Sequence, residues 1–184
     1  MFKKLFSPIW RTIYLLKEEK GRFFGILLLD FISLFPDLFL IARLRSYALF
    51  VLGSKIKKPG TSIFRKNFII EYPKNLTIGE CCNISRDVYF CGNSNIIIGD
   101  NVRIAYGVRI INIYHQKDAN SLADLAKEII IKDNVHIYAN ALILPGTILE
   151  EGVQVSAGSV ISGQTTPYGV YLGNPARLVK KADI

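Results

Sequence analysis

The fold is decided by Ile131-Lys-Asp-Asn-Val-His-Ile137-Tyr-Ala-Asn-Ala-Leu-Ile143-Leu-Pro-Gly-Thr-Ile-Leu149-Glu-Glu-Gly-Val-Gln-Val155-Ser-Ala-Gly-Ser-Val-Ile161. Along it an aliphatic residue returns at every sixth position: Ile131, Ile137, Ile143, Leu149, Val155 and Ile161. Two places before each stands a small or β-branched partner, in turn Ile129, Val135, Ala141, Thr147, Val153 and Ser159. A helix repeats every 3.6 residues or so and a strand about every two, so neither alone yields a period of six. A solenoid does, because each six-residue edge is a short strand plus a corner and only the marked positions face inward.

Toward the N-terminus the same rule continues. Ile98, Ile104 and Ile110 follow Ile96, Val102 and Val108; Ile78, Ile84 and Phe90 follow Leu76, Cys82 and Val88. An interruption of two residues falls near Asn93-Ser94. Before that, Lys55 to Pro73 predicts irregular first strands around Ile56, Ile63 and Ile70. Between Ile110 and Ile129 the pattern lapses. The ejected segment, 112–128, is polar and closes on Ser121-Leu-Ala-Asp-Leu-Ala-Lys-Glu128, which predicts a short capped helix. Structureless loops longer than roughly 12–15 residues are uncommon in compact domains and usually functional. A solenoid gains nothing structural from ejecting one, and this one contains His115. Beyond Ile161, a last polar strand or helix is expected to close the open end of the stack.

The first third differs in kind. Ser7-Pro8 opens an expected helix, with Ser as cap and Pro at its first position, that stops near Gly21. Phe23 to Ala42 is very apolar but contains Asp30, Pro36 and Asp37. A transmembrane helix wants about 20 residues with few or no charges. Two helices broken near Pro36 are expected instead, the second reaching Leu52 and ending at Gly53. The chain therefore divides into a basic, hydrophobic helical segment, 1–54, and a solenoid domain, 55–184.

The formal net charge of the 184 residues is +8, and it is unevenly placed. Residues 1–60 carry 11 Lys and Arg against 4 Asp and Glu; residues 61–184 carry 12 against 11. That argues against a nucleic-acid groove along the body. The basic, greasy N-terminal segment either lies near an anionic surface such as the inner face of a membrane, or is the solvated side of ordinary helices. Cys81, Cys82 and Cys91 are odd in number and lack Cys-x-x-Cys spacing, which fits a reducing cytosol and no disulfide framework. No signal-peptide cleavage pattern follows the N-terminus. The expected location is the cytoplasm, with peripheral membrane association through residues 1–54 left open.

The runs Ile131-Lys-Asp-Asn-Val-His-Ile, Ile143-Leu-Pro-Gly-Thr-Ile, Ala157-Gly-Ser-Val and Gly173-Asn-Pro-Ala-Arg resemble those of the hexapeptide-repeat acyltransferases. The resemblance is to the coenzyme A-dependent O-acetyltransferases of maltose, galactoside and colanic-acid-type polysaccharides, and covers roughly residues 55–182. It implies a mainly β fold, a left-handed parallel β-helix of three hexads per coil, acting as a homotrimer with acetyl-CoA as acyl donor and no metal. The hexads counted then supply about four coils plus a ragged start.

The implied reaction moves an acyl group from a thioester to a hydroxyl. It needs a base for the hydroxyl proton and a donor for the tetrahedral oxyanion. His115 suits the first task, since an imidazole exchanges a proton near neutral pH, and it stands where the family keeps its catalytic histidine. A backbone carbonyl or a carboxylate, Asp118 or Glu128, is left to orient its ring. By motif position, Ala139 offers a backbone N–H to the thioester oxygen, Ala157 and Ser162 line the pantetheine path, and Arg177 and Lys180 meet the coenzyme's phosphates. Ser162-Gly163 replaces the family's commoner Thr-Lys. His136 stands where the family most often has tryptophan and is expected to face outward without a catalytic role. Ser85, Asp87 and Asn93 are the polar candidates for the acceptor, a sugar or glycan in cell-surface polysaccharide synthesis; Ser85 replaces an asparagine of the sugar-acetylating members.

Other readings of the sequence stay open. They are N-acylation of a nucleotide-linked amino sugar, O-acetylation of serine, and a membrane-docked trimeric scaffold without catalysis. A zinc hydratase of the γ-carbonic-anhydrase type needs three histidine ligands, and the chain has two histidines.

Overall fold

The computed structural model describes residues 31, 34–118 and 121–181, with residues 115–118 and 121–125 described as backbone. The helix expected between Ser7 and Gly21, and most of the apolar run from Phe23, lie outside the described residues. From Lys55 onward the chain winds as a left-handed parallel β-helix whose strands stack into three sheets. Sheet A holds β1 (Lys55–Ile56), β4 (Leu76–Ile78), β7 (Ile96–Ile98), β12 (Ile129–Ile131) and β15 (Ile148–Leu149). Sheet B holds β2 (Ile63–Phe64), β5 (Asn83–Ile84), β8 (Arg103–Ile104), β13 (His136–Ile137) and β16 (Gln154–Val155). Sheet C holds β3 (Ile69–Ile70), β6 (Tyr89–Cys91), β9 (Arg109–Ile111), β14 (Leu142–Ile143) and β17 (Val160–Ile161).

All twelve inward positions read from the 131–161 stretch are at most 2% exposed. Burying an aliphatic side chain of this size is worth roughly 1.5–3 kcal/mol, so the interior column stiffens the coils. The polar members are satisfied within the chain. The Thr147 hydroxyl donates to the Leu144 carbonyl at 2.6 Å, and the Ser159 hydroxyl accepts the Gly173 N–H at 3.1 Å.

The start is a full coil, so the stack has five coils where about four plus a ragged start were expected. The first coil's inward residues are Ile56, Phe64 and Ile70, each preceded two places back by a buried partner: Ser54, Ser62 and Phe68. Phe64, and not Ile63, points inward. An extra two residues between β1 and β2 move the count by two, and serine and phenylalanine at inward places hide the aliphatic period.

Corners between sheets B and C turn on a residue with positive φ in every coil: Asn67, Asp87, Gly107, Asn140 and Gly158. Asparagine, aspartate and glycine tolerate that left-handed conformation better than other residues. The edge between sheets C and A differs. It carries a 3₁₀ turn at Pro73–Asn75 below the second coil, two extra residues near Asn93 below the third, and the long excursion below the fourth.

That excursion is a β-hairpin, β10 (Ile113–Asp118) paired antiparallel with β11 (Ser121–Ala126). The capped helix expected over 121–128 does not form. Pairing with β10 supplies the backbone partners that a lone one-turn helix would lack at both ends, so tertiary pairing overrides local helix preference.

Both ends of the stack are closed. At the C-terminal end, β18 (Gly169–Gly173) extends sheet B and β19 (Ala176–Lys181) returns antiparallel after a cis Asn174–Pro175 bond. At the N-terminal end lies helix α1 (Phe39–Val51), whose Ala48 and Leu49 join the solenoid core. It ends as expected: Gly53 takes φ +96°, and the Ser54 N–H donates to the Leu49 carbonyl. Among the described residues no helix is long and apolar enough to cross a membrane.

Candidate active site

The hairpin has a built root. Asn112 is fully buried where the chain leaves the third coil. Its side-chain amide donates to the Ser94 carbonyl, and its Oδ1 accepts the Ser94 N–H at 3.5 Å. Its backbone N–H donates to the Cys91 carbonyl at 3.1 Å, while its carbonyl accepts the Lys127 N–H at 2.8 Å. Departure and return are thus fastened at one residue. Gly92, one coil below, makes room for it. Gly92 has φ +106°, and a Cβ there would lie 1.9 Å from Asn112 Oδ1. Beneath this root Glu71 ties the first coil to the second, accepting from the Tyr89 hydroxyl at 2.5 Å and the Gly92 N–H at 3.0 Å. The carboxylate beside Tyr89 pushes that phenol well above its ordinary range.

His115 is the third residue of β10, and strand register sets Asp124 opposite it. Asp118 pairs with Ser121 at the hairpin tip, and Glu128 accepts from Asn95 Nδ2 at 3.1 Å outside the hairpin. The hairpin therefore holds a carboxylate residue in register with His115 that the helical reading of 121–128 had concealed.

The B–C edge presents a second set of residues. Its third corner position is Lys66, Arg86 and Tyr106 in the first three coils, then Ala139 and Ala157 in the last two. The Ala139 carbonyl accepts the Gly158 N–H at 2.8 Å, which stacks the two alanines. Among the described residues, the N–H groups of Ala139 and Ala157 meet no acceptor. Only here on this edge does a free backbone donor coincide with a side chain too short to cover it. Arg177 pairs with Leu172 near the same corner, since β18 ends at Gly173 against Ser159.

The remaining candidates disperse. Ser162 is exposed where β17 ends, on the C–A edge. Lys180 pairs with Val170 at the far side of sheet B from Arg177. Ser85 is half-buried and Asp87 exposed on the B–C edge of the second coil. Asn93 is exposed below the hairpin root, its carbonyl accepting from Asn75 Nδ2 at 2.7 Å. His136 lies outward on sheet B in register with Arg103 and Gln154, as expected. Partial burial, then the Arg103 charge, pushes its pKa below the ordinary 6.5. Among the described residues no three His, Cys, Asp or Glu side chains gather as a metal site.

Sequence reasoning missed Asn112 and Gly92. The available signal was their shared place, two residues beyond the inward Ile110 and Phe90, where an amide and a glycine meet one coil apart.

Comparison with known proteins agrees with this architecture. The family model for bacterial transferase hexapeptide (six repeats) matches residues 128–163. The solved structure of a maltose O-acetyltransferase from Clostridium difficile 630 is 31% identical, covers 90% of this chain and 88% of its own, and superposes with a TM-score of 0.78. A hexapeptide-repeat acetyltransferase from Vibrio cholerae, solved in complex with acetyl-CoA, is 25% identical with the same TM-score of 0.78, covering 90% of this chain and 89% of its own. A curated Schizosaccharomyces pombe protein named as an acetyltransferase is 28% identical over 116 residues, 61% of this chain and 56% of its own length. The chain thus spans little more than half of that relative. It belongs to the hexapeptide-repeat transferase family.

Proposed function

We propose that the protein is an acetyl-CoA-dependent O-acetyltransferase acting on a sugar or glycan hydroxyl, with His115 as general base. The observation that carries this reading is the hairpin. A solenoid that otherwise repeats by coils spends one long excursion, rooted on a buried asparagine, on the segment that bears His115. The family membership and the named activities of the similar proteins support the transfer chemistry.

In the reaction, His115 takes the acceptor hydroxyl proton as the oxygen attacks the thioester carbonyl carbon. The Ala139 N–H stabilises the resulting oxyanion. Collapse breaks the carbon–sulfur bond, and the imidazolium returns its proton to the departing thiolate. The alanine steps at Ala139 and Ala157 admit the pantetheine arm to bare backbone, and Arg177 supplies a cation for phosphate. Ser162, on the C–A edge, meets the donor only from a neighbouring copy, and Lys180 lies away from the alanine corners; Ser85, Asp87 and Asn93 are assigned to the acceptor side.

Within one chain the hairpin leaves the C–A edge, whereas the alanines lie on the B–C edge. A homotrimer of parallel prisms brings the hairpin of one copy against the alanine edge of the next, so the site is read as an interface between subunits.

The test incubates the purified full-length chain with acetyl-CoA and a panel of glycans, serine and nucleotide-linked amino sugars. Thiol release and acceptor mass are followed. The expected result is acetylation of a glycan hydroxyl, reduced about 10²–10⁴-fold by His115→Ala. Release undiminished in the variant removes His115 as base, and acetylation of an amine or of serine alone replaces the acceptor class.

A further inference from the structure

Helix α1 is amphipathic the wrong way round for an end cap. The face turned to the first coil carries Ala42, Arg45, Ser46 and Leu49, all buried completely. Arg45 Nη1 donates to Asp37 at 3.0 Å and to the Phe64 carbonyl at 3.1 Å, and Ser46 Oγ accepts the Gly60 N–H at 2.7 Å. The opposite face carries Leu40, Leu44, Tyr47 and Val51, at the spacing of one helix side, and these are 47–77% exposed. Phe39 and Phe50 flank them and Phe35 and Leu38 lead into them, again exposed. An ordinary surface helix turns its apolar stripe to the core and its polar side to water; here the greasier side faces away. Contiguous exposed apolar surface on this scale marks a contact site.

Charge decides between the candidate occupants. Exposed Arg43 lies over the Phe39 ring, 4.7 Å from its centroid, and exposed Lys55 lies beside Phe50, so the apolar patch is edged by cations. A second copy meeting the same face across a two-fold axis would set like charges together. An anionic bilayer complements them. A helix of 13 residues is too short to span one but suited to lie in the interface, apolar face down and basic residues at the headgroups. We propose that α1 docks the protein on an anionic lipid surface through Leu40, Leu44, Tyr47 and Val51, seating the N-terminal end of the β-helix on the membrane. This does not rest on the catalytic reading, although an enzyme so seated would meet lipid-linked or membrane-handled acceptors.

The test is co-sedimentation of the full-length protein with phosphatidylcholine vesicles, with and without phosphatidylglycerol. Binding is expected with the anionic vesicles, weakened by salt, and reduced tenfold or more in the Leu40→Glu, Leu44→Glu, Val51→Glu variant at unchanged melting temperature. Undiminished binding by that variant overturns the proposal and moves the contact elsewhere in the chain. A fall in its sedimenting mass without vesicles also overturns it, because the face would then join copies of the chain. Should the triple variant fail to fold, Leu44→Trp serves instead. Its added fluorescence should be quenched by brominated-lipid anionic vesicles, and absence of quenching rejects the proposal.

Discussion

The lower three coils and the upper two are built on one interior rule but differ at their edges. In the lower part, register steps such as Leu76 to Ile96 or Phe90 to Ile110 contain two residues more than three hexads, and the B–C corners carry Lys66, Arg86 and Tyr106. In the upper part the step from Ile130 to Ile148 is three hexads without remainder, and the same corners carry Ala139 and Ala157. The hairpin with His115 is inserted at the seam. The interior column makes the scaffold interchangeable from coil to coil, whereas the outward corners, free of packing constraint, are where the coils differ, and on the proposed function they decide which coil meets the donor.

The comparison can be broken at several points, the seam first. His115→Ala should cut kcat/KM by about 10²–10⁴-fold with the melting temperature unchanged, measured by thiol release. In the upper coils, Ile137→Ala should cost about 2–5 kcal/mol of stability by denaturant titration, as for other fully buried aliphatics. Asn112→Ala should cost about 1–3 kcal/mol by leaving the Ser94 backbone groups unpaired. It should also lower kcat, because the hairpin loses its anchor. Ala157→Trp should raise the KM for acetyl-CoA on the order of tenfold while leaving stability alone; Tyr106→Ala, at the matching corner of a lower coil, should leave that KM where it was.

The smallest effect concerns pH. Burial holds His136 below its ordinary pKa, so below about 6.5 the unfolded chain binds more protons at this residue than the folded one. Its contribution is therefore fully present above that value and is lost as pH falls through it toward the folded pKa. The melting temperature of the native chain should drop more steeply over that window than that of His136→Gln.

Much of the scaffold was legible because most inward positions obey one chemical demand, an apolar side chain that fits a narrow triangular interior. The first coil escaped that reading where Ser62 and Phe64 fill the same places. At the candidate site, His115 stood out by lying in the long lapse of the repeat. Its register partner Asp124 did not, because Ser121 to Glu128 has the local chemistry of a capped helix and only pairing with β10 decides otherwise. Asn112 was hidden for a related reason: its worth lies in contacts with Ser94 and Gly92, close in space and a coil away in sequence.

The seam also sets the entropy of joining the coils. Each coil touches only its neighbours, so the stack can grow as it is synthesised, the first three coils joining through steps of about one coil. The hairpin lengthens a single step, from Ile98 to Ile131. Loop closure grows only logarithmically, so the longer step costs roughly half a kcal/mol more. That modest penalty falls at one joint, between the third coil and the fourth, so the two parts of the stack can form by neighbouring contacts at little extra cost.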